Sequence, residues 1–86
     1  MDALEDGVLD GNAIGGLLIE VFGTEMTTAV GTCGSCGAVG QVAEMVVFRT
    51  AMGTVVRCRV CGSVLMVFVR PSGVYCVDLQ GLSSLH

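Results

Sequence analysis

A small, metal-stabilised, β-rich α+β fold with one short N-terminal helix follows from three features of this 86-residue sequence. Two matched segments, Cys33-Gly34-Ser35-Cys36-Gly37-Ala38-Val39 and Cys58-Arg59-Val60-Cys61-Gly62-Ser63-Val64, each read Cys-x-x-Cys-Gly-small-Val. Around them run short segments rich in valine and phenylalanine, punctuated by glycine and by Pro71, which is the pattern of β-hairpins. Ahead of them Ile14, Leu17, Leu18, Val21 and Phe22 recur at i, i+3, i+4, i+7 and i+8, one apolar helical stripe. Two Cys-x-x-Cys turns brought together offer four thiolates to one tetrahedral ion, and zinc suits that donor set best. The expected architecture is therefore a zinc ribbon carrying a short amphipathic helix.

The elements follow in order. Residues 1–11 read as an acidic, glycine-punctuated, flexible leader. The helix occupies 12–23, packed on or beside the ribbon, with Asp10 or Asn12 as its N-cap and Gly23 just past its end. Gly15 and Gly16 each weaken it by about 1 kcal/mol relative to alanine, so it needs a surface to pack on. The ribbon covers 24–82. A strand over Met26–Thr32 leads into the first knuckle, and Ala43–Thr50 is joined to Thr54–Arg57 through Ala51-Met52-Gly53. The second knuckle hands over to Val64–Arg70, Pro71-Ser72-Gly73 turns the chain, and Val74–Leu79 is the last strand. Residues 83–86, the end of the stretch from Gly81 to His86, read as a tail.

Cys33, Cys36, Cys58 and Cys61 are the expected ligands of one structural Zn²⁺. Gly37 and Gly62 follow the second cysteine of each pair, where positive φ would turn a backbone N–H towards sulfur. Arg57 and Arg59 flank Cys58, either offsetting a doubly negative tetrathiolate site or lying along a solvated strand edge. His86 is not needed as a ligand. Cys76 has no Cys-x-x-Cys partner and reads as a small buried hydrophobe rather than a reactive thiol. A structural zinc contributes on the order of 10–16 kcal/mol, so the metal-free chain is expected to be largely unfolded or molten.

Composition narrows the function. An odd number of cysteines, five, argues against a secreted disulfide framework. Mean hydropathy is high at +0.79 and only 14% of residues are charged, yet Val64–Val69 is too short to span a bilayer and Met26–Ala43 is broken by four glycines. The acidic N-terminus is unlike a signal peptide, which points to a soluble cytoplasmic protein. Asp2, Glu5, Asp6, Asp10, Glu20 and Glu25 crowd the first 25 residues without a basic partner. Arg49, Arg57, Arg59 and Arg70 all lie in the ribbon. A net charge of −4 argues against non-specific nucleic-acid binding. No Ser/His/Asp set, carboxylate pair or Gly-x-Gly-x-x-Gly loop is present, and four thiolates leave the metal no vacant position, so no enzymatic activity is expected.

The stretch from Leu9 to Leu85 resembles a small actinobacterial family of unknown function. The resemblance rests on Asn12-Ala13, Glu20-Val21-Phe22-Gly23, Thr27 and Thr28, both knuckles, and Asp78-Leu79-Gln80-Gly81-Leu82. It implies a cytoplasmic bacterial zinc ribbon and carries over the four ligand positions, while Cys76 matches no motif and inherits no role. The expected function is a non-enzymatic zinc-binding module that contacts another protein, or a second copy, through the helix or an apolar sheet face. One alternative is rubredoxin-like electron transfer with iron in the same thiolates. Others are a nucleic-acid-binding accessory of transcription using the four arginines as one face, and a switch that releases zinc on oxidation.

Overall fold

Strands dominate the computed structural model, which describes residues 9–50 and 53–86. β1 (Leu9–Asp10) leads through a 3₁₀ turn at Gly11–Ile14 into α1 (Gly15–Phe22). β2 (Val30–Cys33) and β3 (Val39–Gln41) flank the first knuckle, and a second 3₁₀ turn, Val42–Glu44, leads to β4 (Val46–Thr50). β5 (Gly53–Arg57) and β6 (Val64–Val69) flank the second knuckle, followed by β7 (Cys76–Asp78) and β8 (Leu82–Leu85). Two antiparallel sheets result, one ordered β1-β4-β5-β6-β7 and the other β3-β2-β8. This is a strand-dominant α+β domain with one short N-terminal helix, consistent with a zinc-ribbon-like fold.

Register explains the core. Val47, Val56 and Met66 stand opposite one another across β4, β5 and β6, and all three are buried. Directly opposed residues share a face, so Arg49, Thr54, Phe68 and Val77 form the next row on the same side. That side receives α1: Ile14 and Leu18 are buried there, Leu17, Val21 and Phe22 pack around them, and the Phe22 and Phe68 rings meet edge to face at 6.5 Å. The opposite face carries Phe48, Val55 and Val67, all half-buried.

Several boundaries differ from the sequence reading. α1 has no side-chain cap: the residue ahead of it is Ile14, not Asp10 or Asn12. The chain enters the helix from a 3₁₀ turn, whose tighter bonds occupy donors that a cap would otherwise satisfy. At the other end Gly23 adopts φ 77° and donates its N–H to the Ile19 carbonyl at 2.7 Å. Thr27 N–H and the Thr27 and Thr28 hydroxyls converge on the Glu25 carboxylate, and these bonds, Thr27's foremost, hold its pKa below the ordinary value. Strand pairing starts at Val30 rather than Met26 and at Val46 rather than Ala43. Residues 1–8 of the leader and the Ala51-Met52 link lie outside the described residues. Leu9 and Asp10, expected to be loose, pair with Val47 and Val46.

The largest correction is the C-terminal segment. Instead of a tail, Leu82–Leu85 forms a strand against β2, with Gly31 opposite Leu85 and Thr32 opposite Ser84. Gly81 ties the two sheets together. Its carbonyl accepts the Gly34 N–H at 2.8 Å, and a Cβ there would sit 1.9 Å from the Val64 carbonyl oxygen and 2.6 Å from Leu65 Cα. Both neighbours are backbone and cannot swing aside. Gly81→Ala is expected to cost about 1–3 kcal/mol as an overpacked contact, lowering the thermal midpoint by roughly 5 °C or more. A calorimetric midpoint unchanged from the parent would contradict this close approach.

Candidate metal centre

Each knuckle is built by the same backbone device. Cys33 ends β2 and Cys58 follows β5, so a strand delivers the first sulfur of each pair. The Cys33 N–H donates to the Ala38 carbonyl at 2.9 Å, and the Cys58 N–H to the Ser63 carbonyl at 2.8 Å. Gly37 N–H then donates to the Cys33 carbonyl at 3.0 Å, and Gly62 N–H to the Cys58 carbonyl at 2.9 Å. Gly37 and Gly62 have φ of 78° and 79°, left-handed values that glycine adopts without a Cβ penalty. These two amides close the turns onto carbonyls and do not point at sulfur. Other amides do: those of Ser35 and Cys36 lie 3.4 and 3.5 Å from Cys33 Sγ, and that of Val60 lies 3.4 Å from Cys58 Sγ.

The four sulfurs converge. Cys33 Sγ lies 3.7 Å from Cys61 Sγ and Cys36 Sγ 3.7 Å from Cys58 Sγ, and all four lie within 4.8 Å of one another. Tetrahedral coordination with Zn–S bonds of about 2.3 Å requires sulfurs about 3.8 Å apart. Cys33, Cys36, Cys58 and Cys61 therefore form a cluster able to chelate one metal ion, consistent with a structural zinc site. Cys33 and Cys58 are buried, whereas Cys36 and Cys61 are exposed, so one edge of the cluster faces solvent.

A family model described as "Family of unknown function (DUF6510)" matches residues 4–86, both knuckles included. The chain belongs to this family. No curated protein and no solved structure matches the chain. In this DUF6510 protein the described helix is too short and the described residues hold none long and apolar enough to cross a membrane.

Electrostatics of the metal-free cluster are uneven. The hydroxyl and backbone of Ser63 bring the Cys61 thiol down to about 6, and the Cys61 and Val60 backbone amides lower Cys58. At Cys36 the Ala38 backbone pulls downward, but desolvation and the neighbouring sulfurs outweigh it and push the thiol up to about 12. Metal binding must expel that proton, because the thiolate is the ligand. Affinity should therefore rise with pH, by about tenfold per unit or more between pH 6 and 8. Competition titration with a chromophoric chelator at several pH values measures this, and a pH-independent constant would contradict it.

Sequence reasoning missed Ser63. The Cys61 thiol donates to its Oγ at 3.2 Å, and after deprotonation that hydroxyl can turn and donate to the thiolate. Ala38 holds the equivalent place in the first knuckle and has no hydroxyl. The signal lay in this difference, one of three between the two matched segments. Arg57 contacts no sulfur: its Nη1 donates to the Gly62 carbonyl at 3.2 Å while the guanidinium lies 5.5 Å from the centre of the Phe48 ring. It thereby ties the second knuckle to the half-buried face of the sheet. Arg49 stands on the opposite, helix-covered face beside Thr54, so the four arginines do not form one surface.

His86 is not in the cluster; its backbone pairs with Val30 in both directions, at 2.7 and 2.9 Å. Cys76 is exposed rather than buried. It lies on β7, whose three residues are all exposed because this edge strand pairs only with β6 and nothing covers it among the described residues.

Proposed function

We propose that this chain is a zinc-loaded, non-enzymatic module of the bacterial cytoplasm that binds another protein beside its knuckles. The observation that carries the reading is the four-sulfur cluster, whose spacing fills a tetrahedral ion's coordination with cysteine alone. Such an ion has no position for water or substrate, so its role is to hold two turns rigid. Beside those turns lies a small, mostly apolar groove floored by Met45 and Leu65, with Val39 and Val60 on its walls. Both valines are strongly exposed, at 67% and 70%, and they line one groove, so they add to a single apolar patch of the kind that marks interaction sites. Arg59 and Glu44 stand at the same groove and supply charged groups of both signs for a polar rim.

Photo-crosslinking from position 60 of the zinc-loaded protein in its native cytoplasm tests this. One discrete partner adduct is expected, lost in a Val39→Asp variant and after metal removal. A chain that gives no adduct would count against the reading. Elemental analysis of the same material separates the metals: one zinc per chain is expected, whereas iron with visible absorbance would support electron transfer instead.

A further inference from the structure

A second concavity, of about 270 Å³, opens between α1 and the end of the five-stranded sheet. It is remote from the thiolates. Gly53, the first residue of β5, lines it, and Cys58, just past the end of that strand, lies five residues on, about 16 Å away at ~3.3 Å per residue. Its volume falls just below the ~300–1,000 Å³ of sites that take drug-sized ligands, which suits a smaller molecule.

Its walls are charged in a particular arrangement. Arg49 stands on the helix-covered face next to buried Thr54 and Phe68. Arg70 lines the same space and is already held in place: its Nε donates to the Gly73 carbonyl at 3.2 Å and its guanidinium lies 5.0 Å from the centre of the Tyr75 ring. A guanidinium has five N–H donors, so four remain on Arg70. Among the described residues neither Arg49 nor Arg70 forms an ion pair. Glu20 faces the cavity from α1 and accepts the Tyr75 hydroxyl at 3.2 Å, which leaves most of its acceptor positions open.

The geometry points to a binding site for a small molecule carrying a carboxylate and a neighbouring ammonium, as a free α-amino acid does, with the carboxylate on Arg49 and Arg70 and the ammonium on Glu20. Guanidinium forks match carboxylates two bonds at a time, and fixing Arg70 against Tyr75 in advance reduces the ordering cost of binding. Two guanidiniums and one carboxylate give the walls a net single positive charge. A zwitterion answers these charges group for group, carboxylate to guanidinium and ammonium to carboxylate, whereas a phosphate dianion carries no cation for Glu20 and is repelled by it within a chain of net charge −4. Leu17 and Phe68 provide an apolar wall for a short aliphatic side chain.

Amide NMR of the full zinc-loaded chain, titrated separately with L-leucine, N-acetyl-L-leucine and inorganic phosphate, tests the assignment. L-leucine is expected to give saturable shifts at Arg49, Thr54, Arg70 and Tyr75, with affinity at least tenfold higher than either other probe. Arg49→Gln and Arg70→Gln should each weaken it at least tenfold and leave the resonances of Cys33, Cys36, Cys58 and Cys61 in place. Glu20→Gln should weaken L-leucine and leave N-acetyl-L-leucine unchanged. Absence of saturable shifts, equal binding of phosphate, or full affinity in both arginine variants would each overturn the site.

Discussion

Cys58→Ser is expected to remove the cooperative thermal transition of this protein, and an excess of a strong chelator to do the same to the unchanged chain. A domain of this size has roughly 5–15 kcal/mol of total stability, and structural zinc sites contribute on the order of 10–16 kcal/mol. Loss of a zinc ion held by this cluster would therefore remove about as much as the fold has. Cys58 is the sharper test because it is buried beside Leu65, and a serine there places a hydroxyl where a packed sulfur stood. Cys36→Ser, at an exposed corner of the same cluster, is expected to weaken metal binding while retaining a melt at saturating zinc. Calorimetry and amide NMR dispersion, with and without metal, report both. A sharp, chelator-insensitive transition close to the parent midpoint would show that the two sheets hold themselves together.

Phe68→Ala is the second large effect, with an expected loss of about 3–5 kcal/mol in the zinc-loaded protein. Phe68 is only 1% exposed, on β6 between β5 and β7. Its ring meets Phe22 edge to face, an arrangement worth about 0.5–1.5 kcal/mol beyond buried area. Phe48→Ala, on the half-buried opposite face, should cost clearly less. Denaturant unfolding at saturating zinc measures each change, and a double-mutant cycle with Phe22→Ala isolates the coupling between the rings. Equal losses at positions 48 and 68 would mean that α1 does not cover the face to which register assigns it.

The site was more legible than the fold around it, for a physical reason. Cys-x-x-Cys-Gly sets a local turn whose geometry depends on residues five or six apart, so sequence spacing alone brings its sulfurs together. The stripe Ile14, Leu17, Leu18, Val21 and Phe22 was readable because a helical face is also local. What spacing could not show is pairing across long separations. Leu82-Ser83-Ser84-Leu85 has too few apolar residues to announce a strand, and only contact with β2 makes it one. Val39-Gly40-Gln41, β3, was missed for the same reason. Cys76 was misplaced because alternation along Val74–Leu79 is identical for a central and an edge strand; burial depends on what lies alongside. The N-cap was missed because Asp10 and Asn12 are good capping residues by type, whereas the chain enters α1 through a 3₁₀ turn that no side-chain propensity reveals.

The seam between β2 and β8 sets a timetable for self-assembly. Thr32 and Ser84 share a hydroxyl–hydroxyl bond across 52 positions, so closing it demands a long loop, and non-local closures of that kind are slow. The meander β4–β5–β6 can form from neighbours during synthesis on the ribosome, while the first knuckle keeps one flank open until the polypeptide beyond Gly81 has emerged. An ion taken up by the four cysteines would then be captured late in maturation. Nascent chains stalled before residue 82 should take up zinc poorly, and release of the next few residues should complete the grip.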